Sequence, residues 1–263
     1  MSQRYLAMKW ISRNPAMQAT FATQPSLPPR NSPPGFCVGC AYETGCEAAG
    51  YGKPELSSLR HLVERTGPLG NGEYLYRPST PVRALYAVQT GMAKTVTVDV
   101  VGREKVLAFH LPGEVIGLDA ACQGQYDNSV VALGRSRFCK FPFAAIRQLA
   151  NRQTSVQWHL MHVLSRQLRQ SQLCGCDHPA EERMARFLID LRDRRVALGL
   201  SAERLPLPMS RADIGNHLGL ATETVSRLLA LFRDQALIRI DRQGLDLLDN
   251  EKLRKLEHSP MRH

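Results

Sequence analysis

No stretch of this chain approaches the roughly 18 uninterrupted apolar residues that a membrane-spanning helix needs, so such a helix is excluded. An apolar leader is lacking too: the run around Leu6–Ile11 is too short and too polar for one. Seven cysteines is an odd number and cannot pair off completely, which together with the missing leader points to a reducing, cytoplasmic setting. There is no Gly-rich nucleotide loop, no nucleophile elbow and no paired histidine and carboxylate. Cys37-Val-Gly-Cys40 does not open a helix after a strand, which argues against a redox dithiol. The chain therefore reads as a non-enzyme.

Of what is present, length comes first. At about 150 residues per domain, 263 residues suggest two domains. The hydrophobic content of 43% is enough for a buried core. The net charge of +10 makes an acidic partner plausible without choosing it. Residues 1–36 hold four basic residues (Arg4, Lys9, Arg13, Arg30), no acidic residue and six prolines. Such a segment buries too little apolar surface to offset its ordering entropy, so it reads as a disordered extension.

From Pro54 to Glu64, Leu56, Leu59, Leu62 and Val63 fall on one face, which predicts a short helix. Residues 67–143 change period. Glu73–Tyr76, Ala84–Val88, Lys94–Asp99, Lys105–Phe109, Ser129–Leu133 and Phe138–Phe141 read as short strands, punctuated by glycines such as Gly91, Gly102 and Gly134. Regularly spaced short strands suggest a small barrel or roll. Phe143–Leu173 returns to helical spacing and would run about 45 Å at 1.5 Å per residue. Val156, Leu160, Val163, Leu164 and Leu168 form its apolar stripe, with Gln167 a polar weak point beside it. A helix so long with one seam calls for a partner helix, so these six residues are the candidate homodimer interface. The expected organisation is α+β: an extension over 1–36, a cysteine loop and β-roll over 37–142, a dimerisation helix over 143–178 and a DNA-binding domain over 179–263.

Ser210-Arg-Ala-Asp213 is a capping-box-like helix start. Gly219-Leu220 makes a turn, and Ala221–Phe232 is a second helix that buries Val225, Leu228, Leu229 and Phe232. Two helices joined by a short Gly-containing turn can set the second into the major groove. Arg227 can donate two hydrogen bonds to guanine, and Glu223 can accept from cytosine. The two are also i, i+4 neighbours able to form a surface ion pair. Leu237–Ile240 and Leu245–Leu248 flank a hairpin wing, whose Arg242 would reach phosphate. The candidate DNA-contacting set is Ser210, Arg211, Thr222, Glu223, Ser226, Arg227 and Arg242, all pointing to double-stranded DNA as partner.

Cys37-x2-Cys40-x5-Cys46 places three thiolates within ten residues. Soft thiolates select zinc or iron–sulfur, and either centre needs a fourth ligand. Cys122, Cys139, Cys174 and Cys176 are the candidates. One intervening residue on a helix turns the side chains of Cys174 and Cys176 about 200° apart, a poor metal spacing.

With these stretches together, residues 37 to about 250 resemble the CRP/FNR superfamily of bacterial transcription regulators, FNR type. The cysteine spacing, Phe109-His-Leu-Pro-Gly-Glu-Val-Ile-Gly-Leu-Asp119, Ala180-Glu-Glu-Arg183 and Asp213–Leu229 carry the likeness. The resemblance implies a β-roll sensor, a long dimer helix and a winged helix-turn-helix. It implies that Glu223, Ser226 and Arg227 read a TTGAT-like half-site, and that Cys37, Cys40, Cys46 and Cys139 hold an oxygen-sensing 4Fe–4S cluster. The intact cluster would favour a dimer that binds palindromic sites and switches anaerobic-metabolism genes through RNA polymerase, with Asp99–Glu104 as the exposed contact loop. Ala221 departs from the Ser or Thr usual at that helix cap. A zinc site, or a cyclic-nucleotide-like effector, is the alternative on the same fold. The latter needs an Arg-Ser phosphate clasp where this chain has Asp127-Asn128-Ser129.

Overall fold

The structure, a computed structural model, describes residues 63–173, 178–241 and 244–257. The loop cysteines Cys37, Cys40 and Cys46, the helix expected over residues 54–62, Cys174, Cys176 and Arg242 lie outside the described residues.

The sensor part is an antiparallel roll. β1 (Glu64–Leu69), β6 (Ser129–Pro142), β3 (Ala84–Val98) and β4 (Glu104–His110) are neighbours in that order. β2 (Tyr74–Tyr76) also pairs with β6, and β5 (Val115–Ile116) with β3. Glu64, expected at the end of a helix, instead opens β1 and faces Lys140 across the ladder. The paired short strands expected on either side of Gly91 and of Gly134 are two long strands, β3 and β6. Gly91 bends β3 rather than ending it. Its φ is +79°, and a side chain there would collide with Ser136. The buried Ser136 hydroxyl accepts from Met92 N (3.1 Å) and donates to Met92 O (2.8 Å), so the irregularity keeps its hydrogen bonds.

The roll's interior is filled by aromatic side chains. Tyr76 and Tyr126 stack with centroids 3.8 Å apart, and the Tyr126 hydroxyl donates to Ala84 O at 2.5 Å. Val88, Ile116, Val130 and Phe138 complete this cluster.

The expected single helix over Phe143–Leu173 is two: α1 (Phe143–Arg152) and α2 (Thr154–Leu173), broken at Gln153, whose backbone is extended. The break lets α1 bury Ile146 and Leu149 and lets α2 turn along the roll. α3 (Ala180–Ala197) follows, then β7 (Arg204–Leu205), α4 (Arg211–Leu218), α5 (Thr222–Asp234), β8 (Ile238–Ile240), β9 (Leu245–Leu247) and α6 (Asn250–Glu257). β7 joins the expected β8–β9 hairpin as a third strand, in the order β7-β9-β8. One apolar cluster runs without a gap from Met92, Val96, Val106 and Phe109 of the roll to Phe187, Leu188, Ile214 and Phe232 of the helical part. Among the described residues, no helix is long and apolar enough to cross a membrane.

His110 sits at the boundary of these two parts, 2.6 Å through Nε2 from Thr95 Oγ1. Burial pushes its pKa down to about 4, the neighbouring Arg194 adds to the fall, and Glu114 and Asp119 oppose it. The unfolded chain takes up this proton near pH 6.5 and the folded chain only near 4, so stability is lost as pH falls between them. The loss is about 3 kcal/mol once pH is below both values. The urea midpoint is expected to fall from pH 7 to pH 4.5, with a visibly flatter slope in His110→Gln. An identical slope in the variant would show that other groups carry the effect.

Candidate functional site

The helix-turn-helix is assembled from local signals. Ser210 Oγ accepts from Asp213 N (3.0 Å) while Asp213 Oδ2 accepts from Ser210 N (3.1 Å), a reciprocal cap that starts α4. Gly219, in the left-handed region (φ +65°), ends it. Arg183 of α3 donates Nη1 to the C-terminal carbonyl of Leu218 at 2.6 Å and to that of Gly219 at 3.3 Å, which places a cation at the negative end of the helix. α5 buries Val225, Leu229 and Phe232, with Leu228 half-buried. That packing turns Thr222, Glu223, Ser226 and Arg227 outward, all exposed. Ser226 Oγ donates back to Thr222 O at 3.0 Å. Arg227 Nη2 reaches Thr224 Oγ1 at 3.5 Å rather than an ion pair with Glu223, so both side chains face outward. Arg211 is half-buried beside the cap, and burial lowers its pKa.

Ala221 is the N-cap of α5, and no side chain, Thr222 included, caps the helix there. Ala221→Ser supplies an acceptor for an otherwise open N–H, with an expected gain of about 1 kcal/mol. Urea unfolding of the two proteins measures it, and an unchanged midpoint would show that solvent already satisfies the helix start.

Four residues that sequence patterning passed over tie this unit to the roll. Lys94 Nζ bridges Asp213 Oδ1 (2.7 Å) and Glu104 Oε1 (3.0 Å). Burial works against both charges, yet their contact prevails: Lys94 is raised and Asp213, also held by Ser210, is lowered. Asn216 accepts from Val106 N and donates to Glu104 O, each at 2.7 Å. His217 Nδ1 lies 3.2 Å from Val106 O. Arg194 of α3 reaches across to Glu114, with Nε on Oε1 at 2.9 Å and Nη2 on Oε2, and to Phe109 O at 2.5 Å. Glu114 Oε2 also accepts from Leu111 N at 3.0 Å. Burial alone would raise the Glu114 carboxyl; Arg194 beside it holds it below its ordinary value.

The six residues read as one dimer seam separate on α2. Val156 and Val163 are buried in the protomer itself, Leu160 is half-buried, and Gln167 donates Nε2 to Val115 O at 3.1 Å. Gln167 is thus a tie to the roll, not a weak point in a dimer seam. Leu164 and Leu168 lie on another face, 43% and 61% exposed, together with Trp158 and Met161, which the expected stripe omitted. At 100° per residue these two faces are about 120° apart. The helix is apolar on both, and the pattern alone could not say which met the roll.

Of the cysteines, Cys122 is exposed and Cys139 is buried. Cys139 stands opposite Arg65 of β1 and Ala87 of β3. It packs in one cluster with Val115, Ile146 and Val163, which joins its strand to α1 and α2. β1 begins 18 residues after Cys46, so the chain that carries the cysteine motif enters the roll beside Cys139. The hairpin tip after β3 is tight: Asp99 Oδ1 accepts from Val101 N and Arg103 N, both at 2.9 Å, and Val100 beside them is fully exposed.

Residues 182–256 match the family described as the Crp-like helix-turn-helix domain, and residues 68–153 the cyclic nucleotide-binding domain. The transcriptional activator protein Anr of Pseudomonas aeruginosa is 35% identical over 227 residues, covering 85% of this chain and 93% of that protein. The chain belongs to the CRP/FNR family. A second relative of this CRP/FNR regulator is the fumarate and nitrate reduction regulatory protein of Vibrio cholerae, 31% identical over 84% of this chain and 89% of its own. The structure of FixK2 from Bradyrhizobium japonicum superposes with a TM-score of 0.66 at 27% identity, covering 76% of this chain and 98% of that one. Like these CRP/FNR relatives, the protein is a DNA-binding transcription regulator and not an enzyme.

Proposed function

We propose that this regulator is an FNR-type oxygen sensor, active on DNA as a homodimer when Cys37, Cys40, Cys46 and Cys139 hold a 4Fe–4S cluster. The observation that carries the reading is the place of Cys139. It is a buried thiol on the strand beside which the cysteine-bearing segment enters, and it is packed against the helices next to the sensor. Four soft sulfur donors suit such a cluster, and Cys139 is the donor that ties the motif to the roll. When bound, the cluster supplies ligation that oxygen destroys.

The chain's own residues carry the rest. Cys139 shares its apolar cluster with Val163 of α2, and Gln167 of α2 is bonded to the backbone of Val115 in the same cluster. The second apolar face of α2 presents Trp158, Met161, Leu164 and Leu168 to solvent. A row of exposed apolar side chains on one helix fits a second copy of the same helix. Each subunit would then set α5 into the major groove, with Glu223, Ser226 and Arg227 at base edges and Ser210, Arg211, Thr222 and Arg242 near phosphate. The half-sites would lie about one DNA turn apart. The expected TTGAT-like sequence fits this residue set. The hairpin tip Asp99–Glu104 is the surface we assign to RNA polymerase.

A cyclic-nucleotide effector is disfavoured by the stacked Tyr76 and Tyr126 that fill the roll, and by Asp119 paired with Asn128 (3.3 Å) where a phosphate would need cations. The deciding experiment is iron and sulfide analysis with an absorption spectrum of anaerobically purified protein, before and after air, alongside operator binding. Brown, iron-containing protein that bleaches and releases DNA in air is expected. Colourless protein containing zinc would overturn the reading.

A further inference from the structure

We propose that the hydrogen-bonded clasp between α4 and strand β4 sets the angle at which each subunit presents its recognition helix, and so determines the half-site spacing that the dimer accepts. This rests on the reading above of a dimer on two half-sites.

β4 is the outermost strand of the path β1-β6-β3-β4, and an open strand edge carries unpaired N–H and C=O groups. Asn216 covers that edge as a peptide group would. Its carboxamide accepts from Val106 N and donates to Glu104 O, both at 2.7 Å. His217 meets Val106 O on the same edge (3.2 Å), and Lys94, from the neighbouring strand, grips Asp213 one turn earlier on α4. Beneath them the contact is apolar and aromatic: the Phe109 ring lies 5.8 Å from Phe187 and 5.1 Å from His217.

The two kinds of contact do different work. Apolar burial is non-directional and would tolerate a sliding interface. Hydrogen bonds to a strand edge are directional and recur only every second residue, about 7 Å along the strand. Slipping Asn216 to the next outward-facing pair would therefore carry α4 about two base-pair steps of 3.4 Å. α5 would follow, because the turn at Gly219 is short and Leu220 N, at its end, donates back to Gly215 O of α4 at 2.8 Å. The base-reading face of α5 is not part of the clasp: Glu223, Ser226 and Arg227 are exposed. Loss of the clasp thus leaves half-site recognition in place and removes only its orientation.

The test uses the full chain, purified anaerobically, and duplexes with the same two half-sites separated by spacers lengthened or shortened by one or two base pairs. A duplex with a single half-site is the control. Wild type is expected to prefer one spacing by about tenfold or more. Asn216→Ala is expected to reduce that preference below about threefold while binding the single half-site as wild type does. Lys94→Met, a substitution in the sensor that removes the bond to Asp213 and leaves the Ser210–Asp213 cap its own hydrogen bonds, is expected to change the profile in the same direction, and it carries the test if Asn216→Ala fails to fold. A wild-type spacing preference in both folded variants overturns the proposal. So does a parallel loss of single half-site affinity, which would mark Asn216 as a support of the helix-turn-helix alone. A wild-type protein without any spacing preference would instead overturn the dimer reading beneath it.

Discussion

Arg194→Met is expected to lower the free energy of unfolding by about 3–5 kcal/mol, because it leaves the Glu114 carboxylate buried and unpaired. Both partners are nearly sealed from solvent, with side chains 11% and 8% exposed. Glu114 would keep only Leu111 N, and the Phe109 carbonyl would lose its donor. The effect belongs to the broken pair rather than to the pair's net worth, since replacing both charges of a buried pair is often nearly neutral. Adding Glu114→Gln, which retains an acceptor for Leu111 N, is therefore expected to recover most of the loss. Urea unfolding of the four proteins of this cycle measures the coupling. A cost below about 1 kcal/mol for Arg194→Met would mean that water reaches the pair as it does a surface bridge.

Cys139→Ser is expected to reduce bound iron and anaerobic operator binding to background, while Cys122→Ser leaves both unchanged. Buried Cys139 lies beside the entry of the cysteine-bearing segment, and exposed Cys122 lies in a turn outside that cluster. Cys139→Ala tests the fold independently, since a small apolar side chain suits the site beside Val115 and Val163. Its far-UV spectrum is expected to match wild type while its iron is lost. Normal iron in Cys139→Ser together with loss in Cys122→Ser would assign the fourth ligand to Cys122.

The elements that sequence patterning located correctly share one property: their signals act within a few residues. The Ser210–Asp213 cap, the Gly219 turn, the burial of Val225, Leu229 and Phe232, and the β8–β9 hairpin all follow from helical period, capping chemistry or turn residues. The errors have the opposite property. Gly91 and Gly134 looked like strand ends because only the chain across the sheet, Ser136 against Gly91, shows that β3 is bent and continuous. Phe143–Leu173 looked like one helix because nothing near Gln153 announces the break that lets α1 and α2 both reach the roll.

By itself the sequence determined the order of roll, helices and winged helix-turn-helix, the outward set Glu223, Ser226 and Arg227, and the cysteine spacing that names sulfur chemistry. Only the tertiary structure decided which side of α2 faces the roll, that Arg194 meets Glu114 and that Asn216 closes the edge of β4. Periodicity records that a face is apolar but not what covers it. A charge or an amide on a helix reads as solvated until a partner 80 or more residues away is brought against it, as Glu114 is against Arg194 and Val106 against Asn216.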